Sequence, residues 1–200
     1  MRLICLLLAL ALSGCLTNGK RGNEASPAIY DLGGVPVKNG VLSALTVTAI
    51  EVRAPLWLDT MGIDFRLLYS EPMRLREYSL ARWAGPPSQL IQQRLAQQLA
   101  LAPAGQATAR CLLRLELSEF AQWFDSPEHS RGVLQGRILL LDKARVKIVD
   151  REIFITHSAG SPDSRGGVKA LLATVDQLAT DLLAWEKSLA GIKAASACGF

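Results

Sequence analysis

No apolar run in this 200-residue sequence is long enough to cross a bilayer as a helix, which requires about 20 consecutive apolar residues. The longest run, residues 3–12, follows a single cation at Arg2 and ends in the small residues Ser13 and Gly14. A basic start, a short apolar segment and a small-residue junction are together typical of a secretory signal peptide that is later removed. The sequence therefore excludes a transmembrane anchor at this end and predicts that residues 1–14 are a signal peptide.

Catalytic and metal-binding signatures are also missing. The two histidines, His129 and His157, have no partner at metal-ligand spacing. A zinc site that joined them to Cys111 and Cys198 would have arbitrary spacings. His157 and Ser158 raise the alternative of a periplasmic hydrolase, but the sequence has no GxSxG motif, and a loop before the last helix explains them better. We therefore expect no catalytic residue, no metal and no cofactor.

The excess of positive charge is small. The sequence has 22 Lys and Arg against 18 Asp and Glu, which gives a formal net charge of +4 and a pI of about 9.0. The cations are scattered along the chain, whereas a nucleic-acid-binding surface needs them to be clustered. We therefore expect no nucleic-acid partner.

The junction Leu12-Ser13-Gly14-Cys15 resembles the bacterial lipobox, in which the signal is cut just before a cysteine that carries the lipid. This resemblance implies that Cys15 is the first residue of the mature chain and is lipid-modified. Several acyl chains would hold the protein firmly at a membrane, since each buried methylene contributes about 0.8 kcal/mol. The alternative is a secreted protein with an incidental cysteine near the cut. Leu16, rather than an aspartate, follows the cysteine, and in enterobacterial-type sorting this favours the outer membrane.

Two other cysteines remain after the signal is removed, Cys111 and Cys198. The periplasm would permit a disulfide between them. However, Cys111 opens a strand-like run that should be buried, while Cys198 lies in a tail of small residues, and cysteines whose Cα atoms are more than about 7 Å apart cannot be bridged. We favour a buried thiol at Cys111 and a loose thiol at Cys198, with the disulfide as the alternative.

The length fits one folded domain. Residues 15–29 hold the lipidated cysteine and a polar, Gly-, Asn- and Ser-containing segment that we predict to be a flexible tether. The folded domain is expected at residues 30–190, followed by a C-terminal tail at 191–200.

Within the domain, alternating apolar and polar residues predict strands, and apolar residues at spacings of three and four predict helices. The first expected helix starts at residues 86–87 and stops before Pro103, and the second starts at the capping residues Asp163 and Ser164 and includes Trp185. Turns at residues 71–72 and 142–143 should form two hairpins. The sequence thus predicts a single α+β domain, an antiparallel β-sheet with two main α-helices packed on one face. The expected strands cover residues 45–53, 65–70, 75–80, 111–123, 133–141 and 145–156.

Residues 52–95 combine aromatic side chains with interleaved arginines. Aromatic residues and arginine are enriched at protein interfaces, so this block indicates a partner-binding surface. The alternative is the core of a hairpin with a solvated cationic face. The residues that we expect to contact a partner are Trp57, Leu58, Tyr78, Arg82 and Trp83.

The same block resembles the ABC-type transport auxiliary lipoprotein component family, the paraquat-inducible-type outer-membrane lipoproteins associated with MCE lipid transporters. With the lipobox, the resemblance follows the order of parts along the chain, although its specific residues lie in the first half. The matching stretches are Tyr30-Asp31-Leu32-Gly33, Ala54-Pro55-Leu56-Trp57-Leu58-Asp59, Phe65-Arg66-Leu67, and Tyr78 followed by Arg82-Trp83-Ala84 and Pro86-Pro87.

This resemblance implies a non-enzymatic lipoprotein held at the outer membrane by Cys15. Its partners would be an MCE-domain periplasmic protein, which it docks, and an inner-membrane ABC transporter complex, which supplies the energy. Assembly into a homo-oligomer is a further implication of the resemblance. The rival interpretation is an envelope assembly lipoprotein of similar small α+β fold that serves lipopolysaccharide or outer-membrane protein biogenesis.

Overall fold

The computed structural model describes residues 26–34, 49–103, 110–189 and Cys198. The predicted signal peptide, Cys15, most of the tether and most of the tail lie outside these ranges. The two helices are α1 (Pro87–Leu99) and α2 (Ser164–Leu189). The strands are β1 (Ala28–Tyr30), β2 (Ala49–Arg53), β3 (Gly62–Leu67), β4 (Glu71–Trp83), β5 (Ala102–Pro103), β6 (Leu112–Phe124), β7 (Ser130–Leu141) and β8 (Lys147–Ser158).

Within the described ranges, neither helix has the length and apolar character that a membrane crossing would require.

All eight strands form one sheet, and β6 is at its centre. One edge of β6 pairs in parallel with β2 and, further along, with β3, while its other edge pairs antiparallel with β7. β7 pairs antiparallel with β8, and β3 pairs antiparallel with β4. At the margins, β1 adds in parallel to β4 and β5 adds in parallel to β2.

The prediction of one α+β domain is therefore confirmed, but the sheet is mixed rather than purely antiparallel. The two expected hairpins, β3–β4 and β7–β8, are antiparallel as predicted. The parallel contacts arise because β2 and β3 reach β6 through long connections that include α1, and parallel strands need such crossovers. Sequence alternation reports the buried face of a strand, not the direction of its neighbour.

Both helices cover the same face of the sheet and contact each other, with α1 over β2 and α2 over β7 and β8. The period-two pattern of β6 is confirmed, because Leu113, Leu115 and Leu117 are buried under the helices. Between them, Arg114 is half-buried and Glu116 is exposed on the face that no helix covers, which we call the open face.

The ends of the helices follow the predicted signals. The carboxylate of Asp163 accepts hydrogen bonds from the Gly166 amide and the Ser161 hydroxyl, each 2.8 Å long, and these bonds lower the pKa of Asp163. Gly167 allows α2 to approach the sheet closely, since a Cβ there would collide with the amide of Gln122. Helix α1 ends at Ala100, whose φ of 53° lies in the left-handed region.

Two strand boundaries differ from the sequence predictions. The β3–β4 turn lies at residues 68–70 rather than 71–72, because the Ser70 amide donates to the Leu67 carbonyl and closes the turn early. β1 begins at Ala28, so Ala28 and Ile29, assigned to the tether from sequence, lie in a strand beside β4.

Cys111 and Cys198 form a disulfide, with their Cα atoms 5.5 Å apart and a sequence separation of 87. Both are buried. The expectation of two free thiols was therefore wrong. The physical reason is that the fold brings Cys198 beside Cys111, at the start of β6, although the two residues are far apart in sequence.

Candidate partner-binding surface

The turn between β2 and β3, residues 54–61, carries the first predicted contact residues. It is closed by hydrogen bonds from the Leu58 and Asp59 amides to the Pro55 carbonyl, 2.9 and 3.0 Å long. The Asp59 carboxylate then accepts from the amide and the hydroxyl of Ser88, at 3.0 and 2.8 Å. Because Ser88 lies in the first turn of α1, the β2–β3 turn is fixed to the start of this helix.

Two of the five predicted contact residues are inside the core. Leu58 is 1% exposed, and its side chain anchors the turn from below. Trp83 is fully buried and stacks on Phe120 with ring centroids 5.8 Å apart. Neither can touch a partner in this fold, so the prediction that Leu58 and Trp83 belong to the contact surface is corrected here.

Tyr78 is half-buried and has a structural contact of its own. Its hydroxyl donates to Gln122 Oε1 at 2.8 Å, and Gln122 Nε2 donates to Ser130 Oγ at 2.7 Å. The Tyr78 ring lies 4.7 Å from that of Phe65. Burial raises the pKa of Tyr78, and the charge of Asp163 adds to the shift, so the phenol stays protonated and able to donate. Tyr78 therefore ties the β3–β4 hairpin to β6.

Trp57 and Arg82 are the two predicted residues that face solvent. Trp57 is 52% exposed, and beside it Leu56 is 92% exposed and Met61 is also exposed. Arg82 lies next to this turn, because the following residue, Trp83, donates its amide to the Met61 carbonyl at 2.8 Å. Among the described residues, no carboxylate pairs with Arg82. We call Leu56, Trp57, Met61 and Arg82 the Trp57 surface.

Sequence reasoning missed Leu56, as well as the exposed apolar side chains of Ile29 and Leu80. Ile29 is directly in register with Arg82 across the β1–β4 pair, so an apolar side chain stands beside the cation. In a turn, exposure follows no fixed period, and the adjacent apolar residues Leu56, Trp57 and Leu58 gave no signal for which one would be buried.

A group of carboxylates lies on the open face of the β3–β4 hairpin. Asp64 is 7% exposed and lies in register with Glu77. Burial raises the pKa of Asp64 to about 7, and the charges of Glu77 and Glu119 add to this shift while Arg66 opposes it. Arg66 itself binds both oxygens of Glu119, at 2.9 and 3.0 Å. Asp64 therefore changes its protonation near neutral pH.

The described residues contain no group of three or more His, Cys, Asp and Glu side chains arranged to hold a metal ion. His157 and Ser158 are consecutive residues of β8, so their side chains point to opposite faces of the sheet and do not form a nucleophile and base pair. The His129 ring lies 3.1 Å from the Ser126 hydroxyl in an exposed loop.

A protein-family model described as ABC-type transport auxiliary lipoprotein component matches residues 36–182, well over half of the chain. No curated protein sequence matches the chain. The fold is similar to the crystal structure of a DUF330 protein from Xanthomonas campestris, with a TM-score of 0.65 at 17% identity over 79% of this chain and 94% of that one. A second crystal structure, of an uncharacterized protein, gives a TM-score of 0.59 at 16% identity over 78% of this chain and 96% of that one.

At these identities the two crystal structures show the fold, whereas the family model shows the family. The family is one of auxiliary lipoproteins for ABC-type transport, which implies a membrane-anchored position in the cell envelope, and it is not a known enzyme family. On the extent of this match, the chain belongs to the ABC-type transport auxiliary lipoprotein component family.

Proposed function

We propose that this protein is an outer-membrane-anchored periplasmic lipoprotein that docks the periplasm-spanning MCE-domain component of an ABC-type intermembrane lipid transport system. The family match over residues 36–182 is the observation that carries this proposal. The inner-membrane ABC transporter complex would supply the energy, and this chain would supply an attachment point at the other membrane.

The proposed anchor is the lipid on Cys15. Ala28, the first residue of β1, is thirteen residues along the chain from Cys15. A fully extended chain gains roughly 3.5 Å per residue, so the domain would stand at most about 45 Å from the membrane surface. The disulfide between Cys111 and Cys198 supports an oxidising compartment such as the periplasm.

The proposed docking site is the Trp57 surface. Its turn is held to α1 by Asp59 and filled from below by Leu58, so Trp57 is presented on a fixed support. Presenting a large side chain rigidly lowers the entropy cost of binding. Arg82 is exposed and is paired in the sheet with Gly62, directly after this turn. It has no ion pair among the described residues, and it is thus available to a carboxylate of the partner.

The test is capture of the co-expressed MCE-domain protein from a detergent-solubilised envelope. We expect the double variant Trp57→Ala with Arg82→Ala to reduce capture by about tenfold or more, since central aromatic and arginine residues often contribute over 1.4 kcal/mol each. Both side chains are exposed, so the domain should remain folded.

The matched control is Tyr69→Ala with Arg74→Ala. This pair also removes one exposed aromatic side chain and one exposed arginine, near the far end of the same hairpin. Capture by the control should match the wild type. Equal capture by the Trp57 and Arg82 variant would remove this surface as the docking site, and capture of a barrel or lipopolysaccharide-assembly protein instead would favour the rival function.

A further inference from the structure

Strand β8 is an edge of the sheet. It pairs with β7 along its length and with no other strand in the described part of the chain. The edge strands of soluble proteins are usually protected from pairing by charges, prolines or bulges. Residues 147–152 contain four charged side chains, but residues 153–158, with the sequence IFITHS, contain no Lys, Arg, Asp, Glu or proline. The register of this half against β7 is also regular.

At the opposite margin of the sheet, the long strand β4 is protected. There the outer edge of β4 contains Pro72 and the cations Arg74 and Arg76, and its last residues are covered by β1. Proline has no amide hydrogen to donate to an added strand. Of the two long edge strands in the described part of the chain, β4 and β8, only the second half of β8 is open to pairing over several residues.

A groove lies along this open edge, between β8 and α2. Its cavity has a volume of about 190 Å³, and Arg151, Glu152 and Asp181 contribute its polar part. A cavity of about 150 Å³ holds benzene, so this groove has room for one or two aliphatic side chains. A strand added to β8 would place every second side chain there. The apolar part of the lining comes from Ile138, Ile153, Phe154, Ile155, Leu178, Leu182 and Trp185.

We propose that β8 pairs antiparallel with β8 of a second copy of this chain, about a two-fold axis at Phe154. In this register Phe154 faces Phe154 of the other copy, and Ile153 faces Ile155. Glu152 faces Thr156, an uncharged residue. Directly opposed side chains contact one another in an antiparallel pair, so apolar residues meet apolar ones.

Neighbouring registers are less favourable. An axis at Glu152 or at Arg151 would place that charged residue opposite its own copy, and like charges directly opposed are destabilising. An axis at Ile153 would place Glu152 opposite Phe154. An axis at Ile155 would separate the isoleucines and place Ile153 opposite His157. The axis at Phe154 alone keeps Ile153 and Ile155 together without facing charges against each other or against apolar side chains.

The same arrangement fills the groove. Ile153 and Ile155 lie on the helix-covered side of β8, so those of the second copy would point towards the groove of the first. Since α2 packs over β7 and β8, the two α2 helices would be about two strand spacings apart, or roughly 10 Å. Helices in contact are separated by about 8–10 Å. The sheet contact therefore brings the helices to packing distance.

This contact lies at the opposite margin of the sheet from the Trp57 surface. A result that contradicts the β8 contact would therefore leave the proposed docking function unaffected, and the reverse is also true. The first test is oxidative cross-linking of Phe154→Cys in the envelope of cells that express the full chain. Two cysteines at the two-fold axis should form a covalent dimer of this chain on a non-reducing gel.

Val146→Cys is the matched control, because Val146 is also exposed but lies in the turn at the far end of β8. The two Val146 residues of the proposed dimer would be more than about 45 Å apart, since each lies eight residues from the axis and a strand rises about 3.3 Å per residue. The wild-type chain gives the background from its own cysteines. A Phe154→Cys yield no higher than that of Val146→Cys, or an adduct with a different protein instead of a dimer, would overturn the proposal.

The second test adds a charge at residue 156 to the Phe154→Cys chain and compares the two signs of that charge. In the Phe154→Cys chain, Thr156→Glu would face Glu152 of the other copy at two symmetric places and should lower the dimer yield about fivefold. Thr156→Lys at the same exposed residue would face the same carboxylate attractively and should keep the yield or raise it. Equal yields from the two variants would exclude this register.

Discussion

Asp64 is a residue whose ionisation is strongly coupled to the fold. Its carboxyl lies almost out of solvent, between β3 and β4, with Glu77 directly opposite and Glu119 nearby. A negative charge on Asp64 is unfavourable because the site is buried and Glu77 and Glu119 are already negative. The native state therefore keeps the proton on Asp64. The native pKa of about 7 lies well above the ordinary value of 3.8 that applies in the unfolded chain.

A carboxyl that binds its proton more tightly in the native state makes the free energy of unfolding decrease as pH rises. For Asp64 this decrease runs from about pH 4 to pH 7 and then levels off. We predict that Asp64→Asn stabilises the protein progressively across this window, by about 2 kcal/mol at pH 8, because solvent screening reduces the full effect of the pKa shift. Thermal unfolding at pH 5 and pH 8 measures the difference.

Asp181→Asn is a suitable control, since Asp181 is bound by Gln177 on the surface of α2. Its effect should be small and similar at both pH values. A gain from Asp64→Asn that is constant with pH, or that shrinks towards pH 8, would contradict the assigned direction of the pKa shift.

At the residue scale, sequence reasoning recovered Trp57 and Arg82 as exposed residues and misjudged Leu58 and Trp83. Their burial depends on partners distant in sequence, such as Phe120 beneath Trp83. The carboxylates around Asp64 could not be found for the same reason, since 55 residues separate Asp64 from Glu119 in sequence and only the pairing of β3 with β6 brings them together.

At the scale of elements, Arg94 connects three parts of the fold. It is buried in α1, and its guanidinium binds both carboxylate oxygens of Asp176 in α2, at 2.6 and 2.9 Å. The same guanidinium donates to the carbonyls of Leu32 and Gly33, which follow β1. Gln98 adds a further hydrogen bond to Asp176. One ion pair therefore holds both helices and the segment after β1 in place.

We predict that Asp176→Ala lowers the free energy of unfolding by about 2–3 kcal/mol. The loss exceeds that of a surface ion pair because Arg94 would keep a buried charge without its carboxylate. Chemical denaturation compares this variant with Asp181→Ala, which removes a carboxylate about one turn further along the same helix and should cost under about 1 kcal/mol. Equal losses would show that the Arg94 contact contributes no more than a surface group.

The elements themselves were largely predictable. Period-two alternation located β6, and the capping aspartate with apolar residues at helical spacing located α2. The parallel pairing of β2 and β3 with β6 was not, because it depends on long crossovers rather than on any local pattern. The Cys111–Cys198 disulfide was not predicted for the same reason, since the two cysteines are distant in sequence and come close only in the folded chain.

At the scale of the whole molecule, the assignment to the envelope can be tested through Cys15. We predict that Cys15→Ser abolishes palmitate labelling and blocks normal processing, and that any domain freed from its signal peptide leaves the membrane fraction, because the acyl chains would no longer be attached. Fractionation with metabolic labelling by palmitate measures these effects. Cys111→Ser with Cys198→Ser should keep the label and the membrane location while it reduces stability.

A Cys15→Ser chain that is processed normally and stays with the membrane would contradict the anchor. The family membership, which rests on residues 36–182, would be unaffected by that result.

The placement of β1 also determines how the domain responds to mechanical load. If the lipid holds one end and a partner pulls on the Trp57 surface, tension along the tether enters the fold at Ala28. It is borne first by the three-residue pairing of β1 with β4, and next by Arg94, which grips the carbonyl oxygens of Leu32 and Gly33. The central strand β6 is further along this path and is held by the Cys111–Cys198 disulfide. We therefore expect β1 to detach before the core is strained.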